Sequence, residues 1–342
     1  MAHLIGEMFY VGVVPWHHLG KRLTTRPGLD EAMRAGGLNW TVSTKPLALA
    51  LAQEIPSYVP QRVAVVRDDR GAGEVGRVLG VVHPGYRLLQ NRAGLEIFDE
   101  LLGGGKYETG GYLRQGEVIW LQAALRKPIQ VRKNDKLKTF LLFSNSHDGS
   151  RPIDIRLTTV RVVCNNTLSL ATRSRELGTF FRRGHNLSLG ALKDEAKAFF
   201  KQMLEEQTAQ QEIIRKMSNT RCDDAAFGRF LATLVPDPKA PANLASNLAL
   251  AQAYETRLQT AQAARAAIRE IRKHGCRQRL TDQPVPPGDG SWWGALNAVT
   301  AWVDHVQTVE GSAYAHQLFG AGDTLKSLAY ARIQAELTAP GR

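Results

Sequence analysis

Two short polar clusters carry the residue types from which catalytic and metal sites are built. The first is Asn145-Ser146-His147-Asp148-Gly149-Ser150. Adjacent residues of an extended chain point in different directions, so Ser146, His147 and Asp148 cannot form a catalytic triad among themselves. Asn, Ser, Asp and Gly are also the residues that tight turns need. The cluster predicts a turn between strands; a turn that also touches phosphate or a base, and catalysis, are the alternatives.

The second cluster, Trp16-His17-His18, lacks an acidic or Cys neighbour that could complete a metal site. An aromatic segment of this kind more often packs, and we expect a subunit contact around Trp16. The chain also lacks a P-loop, a G-x-G-x-x-G strand–helix junction and a Cys pair with zinc spacing. We therefore predict a protein without catalytic residues, cofactor or metal.

The charge of the chain is more informative than these clusters. Its 44 Lys and Arg exceed its 32 Asp and Glu, which gives a formal net charge of +12. Six Lys and Arg oppose one Asp between Arg126 and Lys138, and seven Arg oppose two acids between Arg151 and Arg183. Such a surplus of positive charge favours binding to polyanions such as nucleic acids, because Lys and Arg that neutralise phosphates release the counterions bound there. A solvated basic surface and an anionic membrane surface are the alternatives.

The hydrophobic pattern predicts an α+β protein. Helical periodicity over 91–102 is followed by strand patterns over 107–163, in which Ile153, Ile155 and Leu157 alternate with Asp154, Arg156 and Thr158. One face of this antiparallel sheet is thus expected to be apolar and the other charged, and the chain to turn into a helix near Arg161–Asn165. After about residue 190 the pattern is helical throughout. We predict an α+β nucleic-acid-binding core over 1–188 and an α-helical domain over 189–342.

The remaining composition indicates a cytoplasmic location. The three Cys are far apart, as in reducing compartments. The opening MAHLIGEMFYVG has neither a basic start nor a long apolar run, and no apolar stretch approaches a membrane span.

Several segments resemble a known family. The opening FYVGVVPWHHLGKRL, VLGVVHPGYRLLQN (78–91), LLFSNSHDGSRPIDIRLTTVRVVCNNTLSL (141–170), WWGALNAVTAWVDH and HQLFGAGDTLK are similar to the "phage/plasmid-like protein" family, a domain of unknown function. The order of a helix (91–102), antiparallel strands (107–163) and a helix with Arg and Asn (161–173) more distantly resembles ring-forming single-strand annealing proteins of the Rad-fifty-two class. That resemblance implies a basic groove for single-stranded DNA.

The leading hypothesis is a homo-oligomeric single-stranded DNA-binding and annealing protein of a phage or plasmid, acting without nucleotide hydrolysis. The residues predicted to contact the DNA backbone are Lys133, Lys136, Lys138, Arg151, Arg156, Arg161 and Arg173. Asn145, His147 and Asn165 are predicted to make polar contacts with sugar or base.

Two other functions stay open. A duplex-binding regulator or maintenance factor would suit the charge, although no helix-turn-helix is evident. A metal-dependent nuclease or hydrolase would use His147 and Asp148. On a later helical segment, Arg265, Arg269 and Arg272 share one face, which is either a second DNA contact or a solvated surface.

Overall fold

The fold is described by a computed structural model. It describes residues 5–12, 20–49, 57–69, 76–125, 129–132, 135–161, 167–169, 180–244, 247–278, 284–308, 316 and 320–338. As the pattern predicts, the fold is α+β, with a sheet-rich N-terminal part and a helical C-terminal part.

The N-terminal part forms two sheets and two short helices. The strands are β1 (Ile5–Val11), β2 (Lys21–Leu23), β3 (Thr41–Leu49), β4 (Ser57–Asp68), β5 (Arg77–Val82), β6 (Tyr107–Leu113), β7 (Val118–Ala124), β8 (Ile129–Arg132), β9 (Asp135–Ser146), β10 (Ile153–Arg161), β11 (Thr167–Ser169) and β12 (Phe180–Arg183). The helices are α1 (Leu29–Ala35) and α2 (Asn91–Leu101).

The larger sheet runs in the order β11-β10-β9-β7-β6-β1-β2, with β12 also paired to β10 and β8 to β9. Its central pairs are antiparallel, and a short turn that contains Gln115 and Gly116 joins β6 to β7. The smaller sheet has the order β3-β4-β5, and each of its two strand pairs is antiparallel.

Both faces of the larger sheet are buried at its centre. Leu141 and Phe143 of β9 enter the main core, while Leu142 lies on the opposite face with Trp120 in a smaller apolar cluster. The apolar face that the alternation predicts is confirmed by Ile153, which is buried in the main core with Ile155 and Leu157. The charged face is not solvated as we expected, because Asp154 and Arg156 are also buried.

The C-terminal part consists mainly of helices. They are α3 (Leu189–Asn219), α4 (Asp224–Leu234), α5 (Leu248–His274), α6 (Trp292–Ala301) and α7 (Ala321–Thr338), with a π-helical turn over Trp302–Val306 and a small ladder of β13 (Cys276–Arg277) and β14 (Pro284–Val285). Polar side chains cap four of the helix starts by accepting a backbone N–H bond: Ser188, Asp223, Asn247 and Ser291.

One hydrophobic core runs through both parts of the chain. It includes Phe98 and Phe143 from the N-terminal part, together with Phe199 and Ile333 from the helices. The indole N–H of Trp293 donates to Asp135 Oδ2 at 2.9 Å and so links α6 to β9. Residue 188, the expected domain boundary, is the cap of α3, and apolar packing continues across it.

The helix expected over 161–173 is wrong where the structure describes this segment. Thr167–Ser169 is strand β11, which pairs antiparallel with Thr158–Val160 of β10. The TLS sequence contains a β-branched residue and completes an open sheet edge, and this tertiary pairing outweighs a helical pattern that local sequence suggests. The helix that follows the sheet begins at Leu189 instead.

Close strand packing at Gly111 provides a test of the fold. A Cβ there would lie 2.2 Å from the Glu7 backbone oxygen and 2.7 Å from Met8 Cα, neither of which can rotate away. We expect Gly111→Ala to lower the free energy of unfolding by about 2 kcal/mol in urea titrations. The control is Gly190→Ala in α3, where a Cβ meets nothing within 4 Å and should be neutral or slightly stabilising. Equal stability of the two variants would contradict this β1–β6 packing.

Candidate nucleic-acid interface

Arg156, a predicted backbone contact, lies inside the protein. Its side chain is only 3% exposed and binds Asp154 Oδ1 and Asp323 Oδ2, each at 2.7 Å. Burial acts to lower the pKa of this guanidinium, but the two carboxylates outweigh it and raise the pKa. Because its charge is already compensated, Arg156 cannot serve as a phosphate contact in this conformation.

Asp154 connects this buried pair to the protein surface. Its second oxygen, Oδ2, accepts a hydrogen bond of 2.6 Å from Arg182 Nε, and the Arg182 side chain is about half exposed. Asp323 lies in the first turn of α7. A continuous series of charges, Asp323–Arg156–Asp154–Arg182, therefore runs from the last helix through β10 to β12.

A second buried ion pair involves a residue of α7 that lies one helical turn after Asp323. Lys326 Nζ donates to Asp304 Oδ1 at 2.8 Å, and neither side chain is accessible to solvent. Asp304 belongs to the π-helical turn after α6, a geometry that is frequent at functional sites. The segments containing IDIR, WVDH and GDTLK, which are far apart in sequence, thus meet in one polar cluster.

Arg182 is one of four arginines around the end of β12 and the β9–β10 turn. We call these Arg87, Arg151, Arg182 and Arg183 the arginine rim. Arg87 N donates to the His185 backbone oxygen at 2.9 Å, and Nδ1 of the His185 ring lies 3.2 Å from the Arg87 backbone oxygen. Burial, and to a smaller extent the neighbouring Arg156, lower the pKa of Arg151.

The arginines of the rim differ in whether a carboxylate is paired with them. Arg183 pairs with Glu195, and Arg182 with Asp154. Arg87 is exposed and has no carboxylate within ion-pair distance in the described part of the chain. It is thus the rim cation most available to an external anion.

Two stacked aromatic rings lie within the rim. Tyr86 and His185 are 4.3 Å apart between ring centroids, with an interplanar angle of 22°. The Tyr86 hydroxyl donates to the Ser146 backbone oxygen at 2.9 Å, and burial raises the pKa of this phenol. Burial also lowers the pKa of His185. The pair therefore presents neutral, π-rich rings beside cations.

His147 is a fully buried core residue, although it was predicted to contact sugar or base. The Asn91 amide donates to the backbone oxygens of Leu38 and Trp40, so its Oδ1 must accept the 2.8 Å bond from His147 Nε2. The proton of the neutral ring is then on Nε2. Burial, with a smaller effect of His185, lowers the pKa of His147 to about 3. The imidazole is therefore neutral and inaccessible to a ligand.

Asn145 is enclosed as well. It is 1% exposed, and its amide donates to the Leu89 backbone oxygen at 3.4 Å. The following residues confirm the predicted turn: Ser150 N donates to Asp148 Oδ1 at 2.9 Å, and Gly149 adopts φ = +74°. Glycine populates this left-handed region at no steric cost, which explains its place in the turn.

The remaining residues that were predicted to contact DNA lie partly on the sheet and partly outside the described residues. Lys138 is exposed on β9, and Arg151 is partly exposed. Lys136 and Arg161 lie on β9 and β10, respectively. Lys133, Asn165, Arg173 and the Trp16–His18 cluster lie outside the described residues.

Most of the basic face of α5 is occupied by internal contacts. Arg265 binds Asp237 at 2.5 Å, and Arg272 is buried against Phe227 with its charge near Asp224. Arg269 remains exposed. This helix therefore offers a single cation of the three, rather than a continuous basic face.

Sequence reasoning missed Arg87, Tyr86, His185 and the role of Asp323. Arg182 and Arg183 were counted in the basic segment but not chosen. The signal for Arg182 was its alternation with Phe181, which enters the core. No local pattern could have found Asp323, which lies 167 residues from its partner Arg156.

None of the described helices is long and apolar enough to cross a membrane. Among the described residues, no group of three His, Cys, Asp or Glu is arranged to hold a metal ion.

Removing one charge from the buried series should be costly. In Asp154→Asn, the buried Arg156 and the half-exposed Arg182 each lose the Asp154 carboxylate, so we expect a loss of about 3 kcal/mol in the free energy of unfolding. The matched control is Asp30→Asn, because the Asp30–Arg92 pair is exposed and is worth under about 1 kcal/mol. If chemical denaturation gave the two variants similar losses in the free energy of unfolding, the prediction would be wrong, because the buried Arg156 site would then tolerate an unbalanced charge.

His147 should make stability depend on pH. Its folded pKa, about 3, is below its ordinary value, so between about pH 6.5 and 3 the unfolded chain binds a proton that the folded protein excludes. This stabilising contribution is complete above pH 6.5 and is lost as the pH falls, by about 2 kcal/mol between pH 7 and 5.

His147→Gln, which keeps a donor for Asn91, should flatten this part of the profile in urea titrations. His274→Gln is the control, since His274 is exposed on α5. An unchanged pH profile in His147→Gln would rule out a neutral buried imidazole.

Comparison with known proteins identifies the family of the chain. No curated protein and no solved structure matches it. A family model described as "Domain of unknown function (DUF932)" matches residues 78–332, which include α2, the arginine rim, both buried ion pairs and most of α7. The chain belongs to the DUF932 family of domains of unknown function.

Proposed function

We propose that this protein binds single-stranded DNA and promotes annealing of complementary strands as a cytoplasmic homo-oligomer encoded by a phage or plasmid. The observation that carries the proposal is the arginine rim around the stacked rings of Tyr86 and His185. Guanidinium groups bind phosphate oxygens with matching geometry, and aromatic rings stack on bases without sequence preference.

The charge distribution supports a backbone ligand rather than a small anion. Arg87, Arg182 and Arg183 are exposed, and Lys138 adds a cation at the distant end of β9. The chain as a whole carries a net charge of +12. Distributed cations of this kind suit a polymer of phosphates, which gains affinity by releasing counterions at each contact.

The buried charge series gives the rim a fixed geometry. Asp154 forms an ion pair with Arg182, and the position of Asp154 is in turn fixed by its ion pair with the buried Arg156. A guanidinium whose position is preset loses less conformational entropy when it binds phosphate. The helical part, through Asp323, thereby supports a surface formed by the sheet.

No observation on the described residues favours the nuclease alternative. His147 is enclosed and hydrogen-bonded to Asn91, and Asp148 is engaged in the turn. A duplex-binding function would use the same cations, so competition between single-stranded and duplex DNA decides between these two ligands.

Salt-dependent binding tests the proposal. With fluorescent oligo-dT and anisotropy detection, we expect the logarithm of the association constant to fall linearly with the logarithm of the salt concentration. Arg87→Ala should weaken binding and reduce the magnitude of this slope by about 0.7, the value for one lost phosphate contact on a single strand.

Arg229→Ala is the matched control, since it removes the same charge from an exposed position on α4, an element that contributes no residue to the rim. An absence of binding at low salt would refute the function. Equal effects of the two substitutions would place the nucleic acid elsewhere on the surface.

A further inference from the structure

His185 is a titratable residue whose ring is held in place beside the arginine rim. Its backbone oxygen accepts a hydrogen bond from Arg87 N, and its ring Nδ1 lies 3.2 Å from the Arg87 backbone oxygen. One face of the ring stacks on Tyr86. Along the chain it follows Arg183 by two positions. The position of this imidazole is therefore fixed next to the cations to which we assign phosphate binding.

The two nitrogens of the His185 ring differ in their hydrogen bonding. A carbonyl oxygen only accepts, so Nδ1 carries the proton that is directed at the Arg87 oxygen. Nε2 of the neutral ring then has a lone pair, and this buried atom has no hydrogen-bond partner among the described residues. The main chain of Arg151 acts on the ring as an acceptor that favours its protonated form. A proton added at Nε2 would thus meet an acceptor, whereas the lone pair meets no donor.

The other ionisable groups around the ring come from each segment that packs against it. They are Tyr86 and Arg87 before α2, His147 at the end of β9, Asp148 and Arg151 of the β9–β10 turn, and Arg182 and Arg183 of β12. Asp148 is the single acid in this set. Burial lowers the pKa of His185, and the main chains of Arg87 and Arg151 oppose that effect only in part. The imidazole of the free protein is therefore neutral at pH 7.

We infer that His185 makes the binding of single-stranded nucleic acid at the rim depend on pH: its imidazole, neutral in the free protein, takes up a proton when phosphates bind to the surrounding arginines. The inference rests on the proposed function and assigns a mode of regulation to the same site. One proton from solvent adds to the Nε2 lone pair, and no other covalent bond is formed or broken.

Electrostatic coupling between phosphate and imidazole explains the proton uptake. A bound phosphate places a negative charge near the ring, and a nearby opposite charge favours the charged form of a titratable group. By linkage, the same coupling strengthens binding as the pH falls. The imidazolium donates from both nitrogens toward main-chain acceptors and lies against the Tyr86 ring, which attracts a cation. It therefore adds a positive charge to the rim without leaving its position.

Anisotropy titrations of the full-length protein with oligo-dT at about pH 7.5 and about pH 5.5 test the inference, since thymine does not titrate between these values. We expect the parent to bind about 3- to 10-fold more tightly at the lower pH, because a pKa shift of one unit corresponds to a tenfold change in affinity. His185→Gln keeps a donor for the Arg87 oxygen but cannot titrate, so its affinity should change by less than about 1.5-fold. The matched control is His83→Gln, which removes an exposed histidine from the segment that carries Tyr86 and should keep the pH dependence of the parent.

Proton uptake by the parent protein gives a second readout that needs no variant. In calorimetric titrations with oligo-dT near pH 6, in two buffers with different enthalpies of ionisation, we expect the parent to take up about half a proton for each rim that binds. Binding without proton uptake would overturn the inference.

The outcomes separate this inference from the proposed function. If the parent binds oligo-dT equally at both pH values, or if His185→Gln keeps the pH dependence, the inference is wrong and the proposed function stands. If His83→Gln loses the pH dependence instead, the proton is taken up by another residue, and the inference is overturned. If the parent binds no single strand at low salt, the proposed function fails, and this inference fails with it.

Discussion

The burial of the Arg156 guanidinium between Asp154 and Asp323 is the constraint on which much of the structure depends. A cation in the interior is tolerated only when carboxylates and hydrogen bonds replace its lost hydration. Meeting that requirement fixes the first turn of α7 against β10. It also leaves Asp154 Oδ2 for Arg182, so the same interaction orients a cation at the surface.

This constraint changes the meaning of the alternating pattern in β10. Alternation of apolar and charged residues usually describes a sheet with one core face and one solvated face. Here Asp154 and Arg156 on the charged face are covered as well, and their charges are compensated by each other, by Asp323 of the last helix and by Arg182 of β12. Alternation specifies which residues share a face, but not what that face meets.

Exposure, rather than charge density in the sequence, decides where nucleic acid could bind. The most basic segment contributes buried ion pairs and core residues as well as surface cations. Among the accessible cations, Arg87, Arg182 and Arg183 belong to the rim around the stacked rings of Tyr86 and His185. There aromatic rings lie beside guanidinium groups, a combination that proteins commonly use to bind single strands.

The sequence by itself determined the α+β class, the helix over 91–102 with the antiparallel strands after it, the helical character beyond about residue 190 and the turn at Asp148–Ser150, because these depend on local periodicity and turn chemistry. Only the tertiary structure decided that His147 is a neutral core residue, that 167–169 is a strand, and that Asp323 neutralises Arg156. These features depend on partners distant in sequence, and neither the desolvation of a charge nor the pairing of a strand edge is encoded in the residues next to it.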